Sequence, residues 1–401
     1  MNEQNLEQLL NSGNFSAALT QLTAGEKLPK TIQDFNKAQI LDNLFRAEQY
    51  EIINHFIKDK TIETDIYEFD KFDKSVFQSV VRHLKTDEQG LAFFKEFISK
   101  FDNLNDEVST ETLLGYFLEK LTSIELIKIL VEADCDVKFK NNAEENYIHQ
   151  VVKNNQTKYI LDYEEQQQLH QAYIELLINE GVDVDAQNII QKTPLICAIE
   201  FHKPRFLPLL LEKGADPNHT DQTGNSAFFY AVAHQHHAEM YHIMHEFSLP
   251  EFDQLNKNQV TLLFEYVRMM NYSESGINLL KQLIEDGADL YQTNIYYGDE
   301  ITALDLIAEK PADVLAAILE TGQVDINRND DQGNTLLHKV CAYNVNYDAE
   351  KAKETYKKVK LLIEYGADTT ATNDKDQTAL MLASDDNLKI KTVELLMKQP
   401  N

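Results

Sequence analysis

The sequence predicts an all-α fold, a solenoid of stacked helix pairs joined by short β-hairpin loops. Two observations predict it. The segment Gly181-Val-Asp-Val-Asp returns 33 residues later as Gly214-Ala-Asp-Pro-Asn. The segment Thr193-Pro-Leu-Ile-Cys-Ala returns at the same separation of 33 residues as Ser226-Ala-Phe-Phe-Tyr-Ala. A fixed period of this length indicates one supersecondary unit that is copied along the chain and stacked on its neighbours.

Each part of the repeated unit has a local structural reason. Thr193 can cap the first helix with its hydroxyl, and Pro194 suits the first helical turn because its missing N–H would have no partner there. Gly181 and Gly214 supply the left-handed conformation that ends a second helix, and the Asp and Asn residues after them begin a hairpin. The predicted order within a repeat is therefore helix, turn, helix and hairpin.

These segments resemble the ankyrin repeat, in which Thr-Pro-Leu-His opens the first helix and Gly-Ala-Asp follows the second. In this frame the first helices open at seven positions: Asn146, Thr193, Ser226, Thr261, Thr302, Thr335 and Thr378. The second helices end at Asp134, Gly181, Gly214, Gly287, Gly322 and Gly366. Four of these endings, Asp134 among them, lie 12 residues before the next opening. The resemblance also implies that His149 and His338 hydrogen-bond adjacent repeats together.

The repeats depart from their regular length in several places. About fourteen extra residues lie around Asn154–Leu169 and about ten around Asn344–Glu354. The hairpin between Gly287 and Thr302 is longer than its neighbours and reads Thr293-Asn-Ile-Tyr-Tyr-Gly-Asp-Glu. The repeat that opens at Ser226 has Phe247-Ser-Leu-Pro250 in place of Gly-Ala-Asp. Insertions in a solenoid fall into loops on one face, so we expect these departures to mark a binding partner or special packing.

Residues 1–120 lack the repeat signature but keep the apolar spacing of helices, for example at 47–57, 75–84 and 112–118. We interpret them as degenerate helix pairs that continue the stack. A separate helical cap of unrelated topology is the alternative, and the apolar pattern fits both. The predicted domains are therefore residues 1–120, as degenerate repeats or a cap, and residues 121–401, as the ankyrin repeat domain.

The charge balance of the chain bears on its partners. It has 66 acidic and 37 basic residues, a net charge of −29. This acidity disfavours nucleic acid and anionic membranes and favours a basic protein partner, although acidity can equally serve solubility alone. No apolar run is long enough to span a membrane, and residues 1–6 lack the features of a signal peptide. We expect a cytoplasmic monomer.

No sequence pattern for catalysis or cofactor binding is found. The three cysteines, Cys135, Cys197 and Cys341, are expected to be buried small side chains in a reducing compartment. Phosphate-binding loops, nucleophile elbows and paired catalytic carboxylates are absent from the sequence. The sequence therefore predicts a protein that is not an enzyme and needs no cofactor.

Five histidines fall within twelve residues: His234, His236, His237, His242 and His245. Zinc sites use histidine, but usually as helical i, i+4 pairs or with cysteine at set spacing. The repeat frame accounts for much of this cluster, so we predict no metal site. A surface that responds to pH is an open alternative.

The resemblance implies that a protein partner contacts hairpin tips and exposed positions of the first helices. The corresponding residues are Glu200, Phe201, Tyr230, His234, Glu265, Arg268, Lys339 and Tyr343, and the long hairpin adds Tyr296 and Tyr297. Aromatic and arginine side chains carry much of the energy of protein interfaces. The predicted function is binding of a basic protein through an acidic concave face, as an adaptor or scaffold. The alternative is an antitoxin-like immunity protein that neutralises a toxin by blocking its active cleft.

Overall fold

The computed structural model describes residues 5–29, 32–156, 161–234 and 238–399. These residues are mostly helical, and within them the model contains one two-stranded antiparallel sheet. The chain forms two compact units, Met1–Ala215 and Asp216–Asn401, here called unit 1 and unit 2. No helix in the described ranges has the length and apolar character needed to cross a bilayer.

Unit 1 contains twelve α-helices within its described residues. They are α1 (Leu6–Asn11), α2 (Phe15–Thr23), α3 (Asp34–Arg46), α4 (Tyr50–Lys58), α5 (Val76–His83), α6 (Glu88–Ile98), α7 (Leu113–Glu119), α8 (Ile124–Glu132), α9 (Tyr147–Lys153), α10 (Tyr163–Asn179), α11 (Pro194–Glu200) and α12 (Leu207–Glu212). Short 3₁₀ helices lie at Ile66–Glu68, Phe72–Lys74 and Pro204–Phe206.

Unit 2 contains ten α-helices and two strands within its described residues. They are α13 (Ala227–Phe229), α14 (Ala238–His245), α15 (Leu262–Met269), α16 (Glu274–Glu285), β1 (Asn294–Tyr296), β2 (Asp299–Ile301), α17 (Ala303–Glu309), α18 (Ala312–Glu320), α19 (Leu336–Ala342), α20 (Ala349–Glu364), α21 (Ala379–Ser384) and α22 (Ile390–Leu396). A π-helical segment, Tyr230–His234, continues α13, and a 3₁₀ helix, Asn387–Lys389, precedes α22.

The seven predicted helix openings are confirmed as N-caps, of α9, α11, α13, α15, α17, α19 and α21. At six of them the capping oxygen accepts a backbone N–H three residues further on, as between Thr261 and Phe264 at 3.2 Å. At Thr302 the Asp305 carboxylate instead accepts both the backbone N–H and the hydroxyl of Thr302, each at 2.7 Å. Each cap satisfies a donor that the helix start leaves open.

The predicted second-helix endings have the left-handed backbone that such caps need. Five are glycines with positive φ: Gly181, Gly214, Gly287, Gly322 and Gly366. Asp134 replaces glycine at the sixth ending and has φ of 62°. The repeat period therefore corresponds to a real structural unit.

The helix pairs stack in each unit by contacting equivalent helices of the next pair. In unit 1, α3 packs on α5, α6 on α8 and α9 on α11. In unit 2 the first helices α15, α17, α19 and α21 pack in series, as do the second helices α16, α18, α20 and α22. The fold is thus an all-α ankyrin-type stack, as the sequence predicted. The predicted change of repeat type near residue 120 stays a prediction.

The insertions lie between the two helices of their repeats. The first occupies the loop after α9 and the start of α10, although residues 157–160 of it lie outside the described part of the chain. The second forms the loop 343–348 and the start of α20. The lengthened hairpin forms β1 and β2, in which Tyr296 pairs with Asp299.

Candidate protein-binding surface

The long hairpin brings three of the predicted binding residues of unit 2 together. On α15, Arg268 donates to both oxygens of Glu265, at 2.7 and 2.5 Å. The Arg268 guanidinium carbon lies 6.0 Å from the ring centroid of Tyr296, whose ring also meets Phe264 edge-on at 5.7 Å. The hydrogen bond to Glu265 raises the pKa of Arg268 further above its usual range. Glu265, Arg268 and Tyr296 therefore form one partly buried cluster at the base of the hairpin.

Tyr297 lies beyond this cluster at the tip of the hairpin. Its side chain is 91% exposed, and its ring contacts the ring of Tyr296 at a centroid distance of 4.4 Å. Ile295 on β1 is exposed as well. A large aromatic side chain in solvent adds nothing to the core, whereas at an interface it supplies rigid apolar area and a hydroxyl.

Lys339 lies on α19 and Tyr343 directly follows this helix. Both side chains already interact with charged residues of the chain. Lys339 donates to Asp305 at 2.5 Å and to Asp330 at 2.6 Å. Burial alone would lower the pKa of Lys339, but these two carboxylates raise it. The ammonium of Lys358 lies 5.4 Å from the Tyr343 ring centroid. Both side chains are thus only partly available to a partner.

A cavity of about 540 Å³ lies between α17 and α19. Its lining consists of Asp305, Ala308, Glu309, Lys339, Ala342, Tyr343, Asn344 and Asn346. Glu309 is exposed and forms no ion pair with any residue in the described part of the chain. The cavity therefore combines a small apolar floor with an available carboxylate.

Unit 1 has a comparable cavity of about 500 Å³, between α7 and α9. Leu118 and Val151 are among its buried lining residues, and Glu111 and Glu119 also face it. Burial and the neighbouring Glu119 carboxylate raise the pKa of Glu111 to about 8. Glu145, also in the lining, is neutralised by Lys153 at 2.6 Å.

Glu200 and Phe201 end α11 in unit 1. Glu200 accepts a hydrogen bond from Lys192 at 2.5 Å. Phe201 is 36% exposed, and the Lys153 ammonium lies 5.6 Å from its ring centroid. The two residues are at the surface, as predicted from the repeat frame, but both interact with lysines of the chain.

Tyr230 is not at the exposed position that the repeat frame predicts. Its side chain is 9% exposed, and its hydroxyl donates to Asp221 at 2.7 Å. The π-helical turn Tyr230–His234 places the aromatic ring of Tyr230 against His234, with centroids 5.1 Å apart. His234 itself is exposed and lies 3.3 Å from the Asn225 amide nitrogen.

Several exposed apolar or aromatic side chains, two groups of them in loops of the repeats, were not predicted from the sequence. Ile189 and Ile190 lie at a hairpin tip of unit 1, with exposures of 66% and 43%. Tyr347 lies in the second insertion and is 98% exposed. Two adjacent large side chains at a hairpin tip, the same sequence signal as Tyr296 and Tyr297, could have indicated the isoleucines. For Tyr347, the only sequence signal of exposure was its position in an insertion.

The structure gives no group of three metal-ligating side chains within its described residues. His236 and His237 of the histidine cluster lie outside those residues. His245 lies 3.1 Å from Asp286. All three cysteines are buried and unpaired, and burial raises the thiol pKa of each to about 12, so they remain protonated.

Comparison with protein families agrees with the caps and the stacking. A family model described as ankyrin repeats in three copies matches residues 118–221 and 167–246. Residues 118–246 of the chain contain ankyrin repeats. Ankyrin repeats are generally protein–protein interaction modules, and their fold is a non-enzymatic one.

Two curated proteins of Caenorhabditis elegans share part of this ankyrin sequence. Protein glp-1 is 26% identical over 166 residues, which make up 40% of this chain and 13% of that protein. Protein lin-12 is 28% identical over 112 residues, 28% of this chain and 8% of that protein. The chain thus matches only a small part of the length of each relative.

Solved ankyrin repeat domains are similar to the chain as well. The ankyrin repeat domain of Bcl-3, described as a unique member of the IkappaB protein family, is 21% identical with a TM-score of 0.47 and covers 62% of this chain and 98% of its own. The human ASB11 ankyrin repeat domain is 19% identical with a TM-score of 0.42 and covers 64% of this chain and 100% of its own.

Proposed function

We propose that the chain binds a basic protein partner stoichiometrically, and that the hairpin of unit 2 is a principal contact. The observation that carries this proposal is the pair Tyr296 and Tyr297. Tyr296 is held by Phe264 and Arg268, whereas Tyr297 projects into solvent with 91% exposure. A fixed base and an exposed aromatic tip suit an interface anchor, since a rigid ring loses little conformational entropy on binding.

Charge supports a basic partner. The hairpin carries Asp299 and Glu300 directly after its turn, and both are exposed. Neither forms an ion pair with another described residue of the chain. The net charge of −29 adds a long-range attraction that accelerates encounter with a positively charged surface. The cytoplasmic location and the monomeric state of the protein stay predictions from the sequence.

Affinity capture tests this proposal. The full chain, immobilised, is exposed to lysate of cells that express it, beside two variants, Tyr297→Ser and Tyr67→Ser. Tyr67 is the matched control because it is 75% exposed but lies on the other unit. We expect one or a few basic proteins that the Tyr67→Ser variant retains and the Tyr297→Ser variant loses.

The captured protein is then purified and its affinity is measured by calorimetry. A one-to-one complex that weakens as ionic strength rises supports the proposal, because steering by exposed charges is screened by salt. If the captured protein is an enzyme whose activity the chain blocks at equal stoichiometry, the partner is being neutralised, as in the alternative predicted from the sequence. Retention of every partner by Tyr297→Ser contradicts the role of the hairpin.

A further inference from the structure

Two turns of unit 2 each hold a tyrosine in the left-handed region of the backbone. Tyr297 has φ of 52° and precedes Gly298, which has φ of 90°. Tyr347 has φ of 61° and follows Asn346, which has φ of 50°. Two consecutive positive φ angles define a turn that strongly favours Asn and Gly at both positions. A tyrosine there is an unusual and unfavourable choice for stability.

Neither tyrosine offsets this backbone strain by packing its ring into a hydrophobic core. Tyr347 is 98% exposed, in a turn closed by the hydrogen bond from the Asp348 N–H to the Val345 carbonyl at 2.9 Å. Tyr297 is 91% exposed and contacts the ring of its neighbour Tyr296. Function is therefore the better explanation of why these positions carry tyrosine.

Other surface tyrosines of unit 2 interact with cations of the chain, although in the described part of the chain no lysine or arginine lies over the ring of Tyr365, which is 46% exposed. Four of them have a cationic side chain of the chain near the ring. The pairs are Arg328 with Tyr291 at 4.1 Å, Lys310 with Tyr272 at 5.8 Å, Arg268 with Tyr296 at 6.0 Å, and Lys351 with Tyr343 at 6.0 Å. Among the described residues, no lysine or arginine lies over the ring of Tyr297 or of Tyr347.

The two open rings are also followed by carboxylates. Asp299 and Glu300 come directly after the turn of Tyr297, and Asp348 and Glu350 follow Tyr347. Asp348 also caps α20 by accepting the Glu350 N–H at 2.9 Å, and Glu350 lies 3.7 Å from the Lys353 ammonium, but both side chains are exposed. A lysine or arginine is attracted both by the face of an aromatic ring and by a carboxylate beside it. Each turn therefore offers both elements of a site for one cationic side chain.

Both turns border α17. Strand β2 leads directly into Thr302, the N-cap of α17, so the turn of Tyr297 is at its start. Glu309 ends α17 and shares the 540 Å³ cavity with Asn346, the neighbour of Tyr347. A helix of seven residues rises about 10 Å. A segment that follows the whole of α17 therefore covers about 10 Å and passes the cavity, which is lined by Asp305, Ala308 and Glu309 of this helix.

We propose that Tyr297 and Tyr347 each receive one lysine or arginine side chain of the protein partner, which lies along α17 from one turn to the other. This inference rests on the proposed function and adds the chemistry of the partner, namely two cationic side chains on one segment. The carboxylate of Glu309, at the end of α17 and in the lining of the cavity, favours positive charge there.

A synthetic peptide tests the proposal without the natural partner. The probe has one arginine at each end of a ten-residue Gly-Ser spacer, whose root-mean-square length is about 17 Å. The matched control replaces both arginines with citrulline, which keeps the shape and removes the charge. Ring signals of tyrosines labelled with ¹³C in the full chain are followed by NMR, and Tyr297→Phe and Tyr347→Phe variants assign them.

We expect the arginine peptide to shift the signals of both Tyr297 and Tyr347 and to leave unchanged that of Tyr163, which is 67% exposed but already has the Arg205 guanidinium 5.7 Å from its ring centroid. Tyr297→Ser or Tyr347→Ser should weaken binding of the arginine peptide about twofold to fivefold each. A peptide with a single arginine should bind more weakly than the one with two, because binding of the first arginine raises the effective concentration of the second at its site.

The proposal is overturned if the citrulline peptide shifts the two signals equally, if the signal of Tyr163 shifts as much, or if no shift appears at millimolar peptide. Any of these outcomes leaves the protein-binding function standing, because the capture experiment judges that function separately. If the Tyr347→Ser variant captures the partner as well as the wild type does, Tyr347 is not part of the binding site. The proposed contact at the hairpin would not be affected by that result.

Discussion

His338 Nε2 lies 3.1 Å from the backbone carbonyl oxygen of Gln377, the residue before the next helix opening. The backbone N–H of Thr335 donates to Nδ1 of the same ring at 3.1 Å. Nδ1 is therefore the acceptor, so Nε2 carries the proton and donates to Gln377. One imidazole thus ties the N-cap of α19 to the residue before the N-cap of α21. In unit 1, His149 Nε2 lies 3.0 Å from the carbonyl of Lys192, the residue before the N-cap Thr193, while its Nδ1 lies 2.8 Å from the Asn146 side-chain oxygen.

Replacing His338 with Ala should destabilise the protein by about 2 kcal/mol. The side chain is 1% exposed, so the substitution leaves the buried Thr335 N–H without its acceptor. It also removes one of the two hydrogen bonds to the Gln377 carbonyl, the other coming from the Asn373 N–H at 3.0 Å. Urea unfolding at neutral pH measures the change. The control is His242→Ala, which alters an exposed histidine and should change the free energy of unfolding by less than about 0.5 kcal/mol. Equal effects of the two substitutions would contradict a bridging role for His338.

The helix ends of unit 1 give a second test of the repeat frame. Thr193→Ala should cost about 1 kcal/mol because the hydroxyl accepts the Ile196 N–H at the start of α11. Gly214→Val should cost more, because Gly214 has φ of 95° and a β-branched residue tolerates that conformation poorly. No atom lies within 4 Å of the position of an added Cβ, so the penalty is one of backbone conformation and not of crowding.

Thermal unfolding of the Gly214 variants separates conformation from volume. Gly214→Asn should cost less than Gly214→Val, since asparagine adopts positive φ more readily than other side chains. A Gly214→Val protein as stable as the wild type would show that the second-helix ending is misassigned.

We expect His170 to make the stability of unit 1 depend on pH. The ring is 3% exposed, packs near Tyr173 and Phe206, and both of its nitrogens lack a hydrogen-bond partner among the described residues. Burial, with Lys203 nearby, lowers the pKa of His170 to about 4, against about 6.5 in the unfolded chain. Between these values the unfolded chain binds more protons, so stability falls as the pH drops from about 6.5 to 4.

The substitution His170→Phe isolates this contribution. It removes the two unsatisfied nitrogens and should raise the free energy of unfolding at pH 7 by about 1 kcal/mol. It should also flatten the loss of stability below pH 6.5 relative to the wild type, by on the order of 3 kcal/mol at pH 4. A His242→Gln variant should keep the full slope. If His170→Phe keeps it too, the imidazole is not the group that titrates.

Helix ends could be predicted from the sequence because each depends on a few adjacent residues. Thr261 caps α15 with a hydrogen bond that spans three positions, and a glycine such as Gly366 ends a helix through its own backbone. The surface could not be predicted in the same way. Lys339 was expected to be available, but Asp305 and Asp330, from the preceding repeat and its hairpin, neutralise it. Such pairing between repeats has no fixed spacing in the sequence.

Tyr230 and Tyr347 also show that exposure could not be predicted from the repeat: Tyr230 is more buried than expected, and the exposure of Tyr347 was not expected. The repeat frame places Tyr230 on the exposed side of a regular helix, but the π-helical segment and the Asp221 carboxylate bury its ring and hydroxyl. Tyr347 lies in an insertion for which the repeat offers no template, so its exposure follows from a turn that only the structure reveals. Residues outside the regular period therefore carry most of what distinguishes this binding surface.

Tyr296 and Tyr297 should respond differently to substitution, although they are adjacent. Tyr296→Ser removes the contacts with Phe264 and Arg268 and should lower the free energy of unfolding by about 1 kcal/mol. Tyr297→Ser removes a ring that is 91% exposed, so the melting temperature should stay within about 2 °C of the wild type.

The affinity for the captured partner should show the reverse pattern at Tyr297. If Tyr297 is the anchor, Tyr297→Ser weakens binding by about 2 kcal/mol, or roughly thirtyfold, in a protein of unchanged stability. The loss from Tyr296→Ser should be smaller and should follow the loss of hairpin order, because its ring serves mainly to hold the hairpin. Calorimetric titration of both variants at one ionic strength measures the two effects. A Tyr297→Ser protein that binds as tightly as the wild type, while Tyr296→Ser unfolds earlier, would mean that both rings serve only to brace the hairpin.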